Sequence, residues 1–246
     1  MMKILYINPA GFIGGAEKSL LELVSGLDRE EYKPLVAILG PGELSAELAE
    51  RGIAYRRLFL PGFLRRVSRA RPASLLLMPL IPFFTLPLIV RLISLIRSEK
   101  IEIIHTNGLK AHLLGIIPAL AAGRPLIWHF RNLIGGGSRL LFRLLAALLP
   151  VRIIANSRAV KERLGNLSRI RVVYNGVDEI PSLSREERNR VRRQFVNSPD
   201  DILIGTVGHF APLKGFEDLI RAVPAVRVEI PAVRFLIIGG SVYSAH

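Results

Sequence analysis

The stretch KILYINPAGFIGGAEKSLLELVSGL, Lys3–Leu27, runs from one apolar pattern through three glycines into another. Lys3–Asn8 is nearly continuous Ile, Leu and Tyr, as expected of a strand buried on both faces of a parallel sheet. From Ala16 onward the apolar residues recur at helical spacing, at Leu20, Leu21, Val24 and Leu27. Glycine costs backbone entropy, so Gly14 and Gly15 between strand and helix imply a need for bare backbone. In a doubly wound sheet the carboxyl end of a strand, next to a helix N-terminus, is a ready anion site. A tight strand–helix turn with nothing bound satisfies the same pattern.

The alternation continues along the chain. Strand patterns recur at Lys33–Leu39, Ala54–Leu58, Ile101–Thr106, Leu126–Phe130, Arg152–Ala155, Val172–Tyr174, Leu203–Gly208 and Arg234–Ile238. Longer helical patterns lie between them, among them Leu86–Arg97, Leu109–Ala122 and Leu140–Leu149. This predicts an α/β chain with a doubly wound, parallel, Rossmann-like sheet. After Tyr174 the turn dipeptide Asn175-Gly176, then Pro181, Ser182 and Ser184, mark a seam. Ser184 and Glu187 fit a capping box that opens a linker helix. The expected division is 1–180 and 181–246, the second part holding that helix and one further βαβ unit.

Composition narrows the partners. Residues 1–170 hold 24 Lys/Arg against 11 Asp/Glu, whereas residues 171–246 hold 10 against 9. The lopsided charge points to an anionic partner: a phosphorylated substrate, an anionic lipid surface or nucleic acid. Nucleic acid is set aside, because aromatics are few and not interleaved with the basic residues. The chain has no cysteine, and its five histidines lack a zinc-hydrolase spacing, so no metal is expected. The first apolar run is too short for a signal peptide, which makes the cytoplasm the default.

Six arginines, Arg56, Arg57, Arg65, Arg66, Arg69 and Arg71, fall within sixteen residues with no acid among them. Directly after them come 18 uncharged residues, 73–90, just long enough to be considered as a membrane span. Pro79, Pro82 and Pro87 inside that run favour a buried or membrane-touching crossover instead. The expectation is peripheral, salt-sensitive attachment to the inner face of the cell membrane.

A second candidate phosphate site is GTVGHFAPLKGFEDLIRAV, Gly205–Val223, where Lys214-Gly215 opens a helix. A lysine there opposes the helix dipole unless an anion binds between it and the free N–H groups. A solvated lysine is the plain alternative. A nicotinamide site is the rival for the first loop, but Gly11-x-x-Gly14-Gly15 is not G-x-G-x-x-G. The second strand also ends in Leu39-Gly40-Pro41, where a ribose-binding acid should stand.

Taken in order, GGAEKSLLELVSGL, IEIIHTNGLKAHLLG, RPLIWHFRNL, RIIANSRAVKERL, VVYNGVD and VGHFAPLKGFEDLIRAVPAV resemble glycosyltransferase family 4. These are retaining enzymes of the GT-B fold, built of two facing Rossmann-like domains. The resemblance implies a nucleotide-diphosphate sugar (UDP- or GDP-sugar) as donor, a glycan or lipid-linked acceptor, and no cofactor. It places Gly14 and Gly15 against the donor, His129 beside the reacting sugar, and Lys214 with Gly215 and His209 at the donor diphosphate. His105, Asn107 and Arg131 become acceptor-side candidates. Two departures stand out. His209 occupies a place where the family usually has Arg, giving one neutral donor in place of a charged fork. The family's glutamate pair in the donor domain has no counterpart in these residues, so the 246 residues as given are expected to be inactive. A catalytically dead half-enzyme or partner-binding domain is therefore the alternative, and a Rossmann oxidoreductase a weaker one.

Overall fold

The apolar run that follows Met1 becomes an interior strand of a parallel sheet. In a computed structural model of the chain, the described residues are 1–62, 81–165, 167–177 and 181–240. They divide into two units, Met1–Asp178 and Glu179–His246.

Among the described residues of the first unit, the strands are β1 (Met2–Asn8), β2 (Tyr32–Ile38), β3 (Ala54–Arg57), β4 (Ile103–Asn107), β5 (Leu126–Phe130), β6 (Val151–Ala155) and β7 (Ile170–Val172). Every pairing is parallel, in the order β3-β2-β1-β4-β5-β6-β7. The winding goes one way from β1 to β3 and the other way from β4 to β7. The helices are α1 (Gly15–Ser25), α2 (Leu44–Glu50), α3 (Ile81–Ser98), α4 (Leu109–Ala122), α5 (Gly136–Leu148) and α6 (Arg158–Leu164). This is a doubly wound, Rossmann-like half-domain of the GT-B type.

The pleat sorts the side chains into two layers. On one face Leu5, Ile7, Ile104, Trp128, Phe130 and Ile153 pack under Leu88, Leu92 and Ile96 of α3, Ala111 of α4, Phe142 of α5 and Leu164 of α6. Phe142 meets Trp128 and Phe130 edge-on, with centroids 5.4 and 5.3 Å apart. Such pairs add about 0.5–1.5 kcal/mol beyond area burial. On the other face Ile4, Tyr6, Val36 and Ile38 pack under Leu20, Leu21 and Val24 of α1 and Leu44 and Leu48 of α2. That second layer ends beside β4. Further along the same face, Ile127 and Ile154 are half-buried and Arg152 and Arg171 exposed.

Several elements depart from the sequence expectation. Helix α3 is already formed at Ile81 and passes through Pro87, because Leu88, Leu92 and Ile96 bury one stripe of it and packing outweighs the proline penalty. Helix α5 starts at Gly136, well before Leu140, with Gly135 as its cap. Strand β7 ends at Val172, and the exposed Val173, Tyr174 and Val177 belong to a loop. Arg65, Arg66, Arg69, Arg71 and residues 73–80 lie outside the described residues.

The second unit opens with α7 (Arg185–Arg192), whose capping box is formed: Ser184 Oγ accepts from the Glu187 N–H at 3.2 Å and Glu187 Oε2 from the Ser184 N–H at 2.8 Å. Then follow β8 (Ile202–Val207), a 3-10 turn at Pro212–Lys214, α8 (Phe216–Glu229) and β9 (Val233–Ile238). Among the described residues, β8 and β9 pair in parallel as a two-stranded sheet. The apolar residues of this unit are poorly covered; Val207 of β8 and Val228 of α8 are 76% and 78% exposed.

Candidate active site

Strands β1, β4 and β5 are neighbours, and their carboxyl ends carry Asn8, Asn107 and His129 at one level, Asn107 standing opposite His129 in the register. Arg131 lies just beyond β5. The parallel winding collects these side chains, because every strand finishes at the same edge. They sit where the α1–α2 layer stops, which leaves an opening beside the sheet. A cleft of about 540 Å³ occupies it, walled by Ser19, Glu22 and Leu23 of α1, by His129 and Arg131, and by Tyr174, Asn175 and Gly176 of the loop after β7. A larger hollow of about 620 Å³ lies over β5–β7, lined by Arg152, Arg169, Arg171 and aliphatic residues. It holds no residue suited to acid–base chemistry, so the smaller cleft is the candidate.

Arg131 ties the cleft together. Its Nε donates to Asn107 Oδ1 at 2.7 Å, and its Nη1 donates to Asn175 Oδ1 at 3.0 Å and to Ser19 Oγ. Its Nη2 lies 3.3 Å from His129 Nδ1. These acceptors are all neutral. Burial pulls the guanidinium down to about 10, and the Glu17 carboxylate partly offsets that. His129 is 6% exposed. Burial first, and Arg131 second, push it down to about 3, so the ring is neutral at physiological pH. His105 Nε2 is 3.2 Å from His129 Nδ1. Burial holds His105 well below the ordinary range, with His129, Arg131 and His112 adding to it. His129 Nε2 is buried without a hydrogen-bond partner among the described residues.

The glycines divide by role. A Cβ on Gly11 would stand 2.3 Å from the Pro41 carbonyl oxygen, so the loop after β2 requires that glycine for close backbone approach. Gly14 caps α1, and its N–H donates to Glu17 Oε2 at 3.1 Å. Gly15 has nothing within 4 Å of the place a Cβ would take. The structure thus explains Gly11 by packing and leaves the space beside Gly15 open.

Of the residues singled out from sequence, His105, Asn107, His129 and Arg131 come together in one hydrogen-bonded group, with the Gly14 loop joined to it through Glu17 and Asn8. Asn8 Nδ2 donates to Glu17 Oε1 at 3.3 Å and Asn107 Nδ2 donates to Asn8 Oδ1 at 2.7 Å. Sequence reasoning passed over Asn8, Glu17 and Ser19. The available signal was that two strands, β1 and β4, both end in Asn. In the second unit His209 and Lys214 are exposed, and Gly215 at φ 67° links the 3-10 turn to α8. Arg56 pairs with Glu99 at 3.1 Å and Arg57 donates to Ser45 Oγ. Among the described residues, no group of acidic, His or Cys side chains is placed to hold a metal ion. Nor is any helix there long and apolar enough to cross a membrane.

Comparison with known proteins agrees with this architecture. No curated protein matches the sequence. HepE of Anabaena, solved with UDP and glucose, superposes with a TM-score of 0.75 at 23% identity, over 99% of this chain and 62% of its own. A glycosyltransferase from Rickettsia africae gives 0.70 at 17% identity, over 97% and 60%, and MurG of Acinetobacter baumannii 0.59 at 14%, over 93% and 58%. At these identities the likeness is one of fold, and the chain spans about 62% of the length of HepE. The family model described as Glycosyltransferase Family 4 matches residues 13–179, most of the first unit and every element of the cleft except β1. The chain belongs to glycosyltransferase family 4.

Proposed function

We propose that residues 1–180 form the acceptor-side domain, and residues 181–246 the start of the donor-binding domain, of a retaining glycosyltransferase. It moves a sugar from a UDP- or GDP-sugar to a glycan or lipid-linked acceptor. What carries the reading is the family match over a unit whose cleft sets His129 beside Arg131. That HepE was solved with UDP and glucose favours a uridine donor. Gly15 leaves room for the donor to approach the backbone, and His129 hydrogen-bonds the transferring sugar. His105, Asn107 and Arg131 serve the acceptor side, with His105 and Arg131 beside His129 and Asn107 accepting from Arg131. Lys214, His209 and the α8 N-terminus steady the leaving diphosphate as the bond between it and the sugar breaks. The acceptor hydroxyl attacks from the same face and gives its proton to the departing phosphate oxygen, so the configuration is kept.

The 246 residues alone are proposed to transfer no sugar. An isolated two-stranded sheet is marginally stable at best, and misplacement by about 1 Å costs about a hundredfold in rate. The test is a panel of UDP- and GDP-sugars, assayed with the 246-residue chain and with a version extended by a complete donor domain. In the extended version His129→Ala is expected to lower kcat by about 10²–10³-fold with nucleotide affinity held. Near-normal turnover in that variant would remove His129 from the chemistry, and turnover by the short chain would show its donor half sufficient.

Peripheral attachment at the inner face of the membrane belongs to the same reading. Helices α3, α4 and α5 carry no acid, and α4 and α5 leave Leu113, Ile117, Leu120, Leu140, Leu144 and Leu148 exposed. Apolar stripes among arginines suit an anionic bilayer, at about 1 kcal/mol per basic residue near the surface. Binding to anionic vesicles should weaken as salt rises and drop in Leu140→Glu/Leu144→Glu; binding indifferent to both would refute it.

A further inference from the structure

Alternation along β5 sends Phe130 into the core, and His129 and Arg131 to the other face, where the cleft of about 540 Å³ opens. The guanidinium reaches across the cleft wall, because two of its acceptors, Ser19 and Asn175, are themselves lining residues. A guanidinium has five N–H donors and no acceptor. Nε goes to Asn107 Oδ1 at 2.7 Å, Nη1 to Asn175 Oδ1 at 3.0 Å and to Ser19 Oγ, and one Nη2 hydrogen toward His129 Nδ1 at 3.3 Å. The second Nη2 hydrogen has no acceptor among the described residues. Burial lowers the group to about 10, so it is a cation at neutral pH. All four partners are neutral. Glu17 adds charge from a distance, but its oxygens are taken by the Gly14 N–H and Asn8 Nδ2. Glu22, the acid on the cleft wall, pairs with Arg51 at 3.0 Å. Among the described residues no carboxylate lies within 4 Å of Arg131. A desolvated cation without a bonded anion is a costly arrangement that an ion pair relieves.

We infer that the cleft is an oxyanion site: Arg131 takes one carboxylate or phosphate group of the acceptor, through its spare Nη2 hydrogen and the Nη1 hydrogen that Asn175 holds. Asn175 is the partner that yields, since it stands on the exposed loop after β7. Two hydrogens of one guanidinium match one such group rather than a diphosphate. Arg131 is also the single Lys or Arg among the lining residues. The excess of Lys/Arg over acids in residues 1–170 draws an anionic ligand toward this unit. That the anion belongs to an acceptor rests on the function proposed above; the anion site itself does not.

The experiment follows Arg131 Nε–H and the Asn175 side-chain amide in 15N spectra of the 246-residue chain at low salt. Glucose 6-phosphate, glucuronate or glucose is added, so that phosphate, carboxylate and no charge are compared on similar rings. Both charged sugars should move these signals to saturation, and glucose should bind at least about tenfold more weakly. In Arg131→Gln the charged sugars should fall to the level of glucose, a selective loss that a merely structural role would not give. Where that variant fails to fold, Asn175→Ala carries the test. It vacates an Nη1 hydrogen on an exposed loop and should tighten the charged sugars by about two- to tenfold. In the donor-domain-extended protein, saturating UDP should leave glucose 6-phosphate bound at Arg131. Three results would each overturn the site: glucose binding as tightly as the charged sugars, wild-type shifts in a folded Arg131→Gln, or unchanged or weaker binding in Asn175→Ala. Exclusion of glucose 6-phosphate by UDP would overturn its assignment to the acceptor. No arm measures sugar transfer, so a chain that transfers none leaves the site standing.

Discussion

His112 shows how burial alone sets the state of a side chain in this protein. It is fully buried on α4 against Phe130 and Phe142. Burial, with His129 second, lowers it to about 3, as burial with Arg131 lowers His129. The unfolded chain takes up these protons near pH 6.5, whereas the folded one resists until about pH 3. Below the unfolded value the unfolded state binds more protons, so the contribution is whole above pH 6.5 and is lost as pH falls toward 3. Urea midpoints should therefore drop between pH 6.5 and 4, with a shallower slope in His112→Leu. A flat profile in the wild type would mean that the folded rings take up protons as readily as the unfolded ones. Sequence made His129 and Arg131 legible because they end an obvious strand. Glu17 was not legible, since an acid in a first helical turn reads as an ordinary complement to the helix dipole. Its partner Asn8 is in turn bonded to Asn107, 99 positions further along, a meeting that no local pattern reports.

Loops and helix starts separate packing from ligand approach. Gly11→Ala would drive a methyl into the Pro41 carbonyl, and overpacking of this kind costs about 1–3 kcal/mol. Gly15→Ala meets open space at the first position of α1 and should stabilise by about 0.4–1 kcal/mol. If the donor approaches that backbone, the same variant should weaken nucleotide-sugar binding in the donor-domain-extended protein. Melting temperatures and titration calorimetry on the two variants check both effects; an unchanged affinity in Gly15→Ala would free the loop of a donor role. The strand patterns were read almost to the residue at Leu126–Phe130, where β-branched and aromatic residues are bounded by Arg-Pro. The start of α5 was not, because a run of glycines reads as loop until Phe142 and Ala146 anchor the helix. The end of β7 was also misread. Val173 and Tyr174 look like strand residues, yet after one last bond from Val173 N–H to the Ala155 carbonyl the chain leaves the sheet to wall the cleft.

At the scale of the molecule the two units differ in kind. The first has a continuous core on one face of its sheet and a second on the other. The second unit has no share in either core, and its parallel strand pair is covered by little beyond α8. Hydrogen exchange on the full chain should show β1, β4 and β5 amides protected to the global limit and β8 and β9 amides exchanging much faster. Equal protection across both sheets would contradict the difference in burial. The order β3-β2-β1-β4 also has a consequence in time. Strand β1 is made first but pairs on one side with β4, which begins at Ile103. At synthesis rates of about 5–20 residues per second, the growing chain carries β1 with one edge open for roughly 5–20 seconds. Its residues Ile4–Ile7 are all apolar, an edge of the kind that templates pairing with other chains. A ribosome-bound chaperone would have its work here, before Asn107 arrives beside Asn8 and the cleft exists at all.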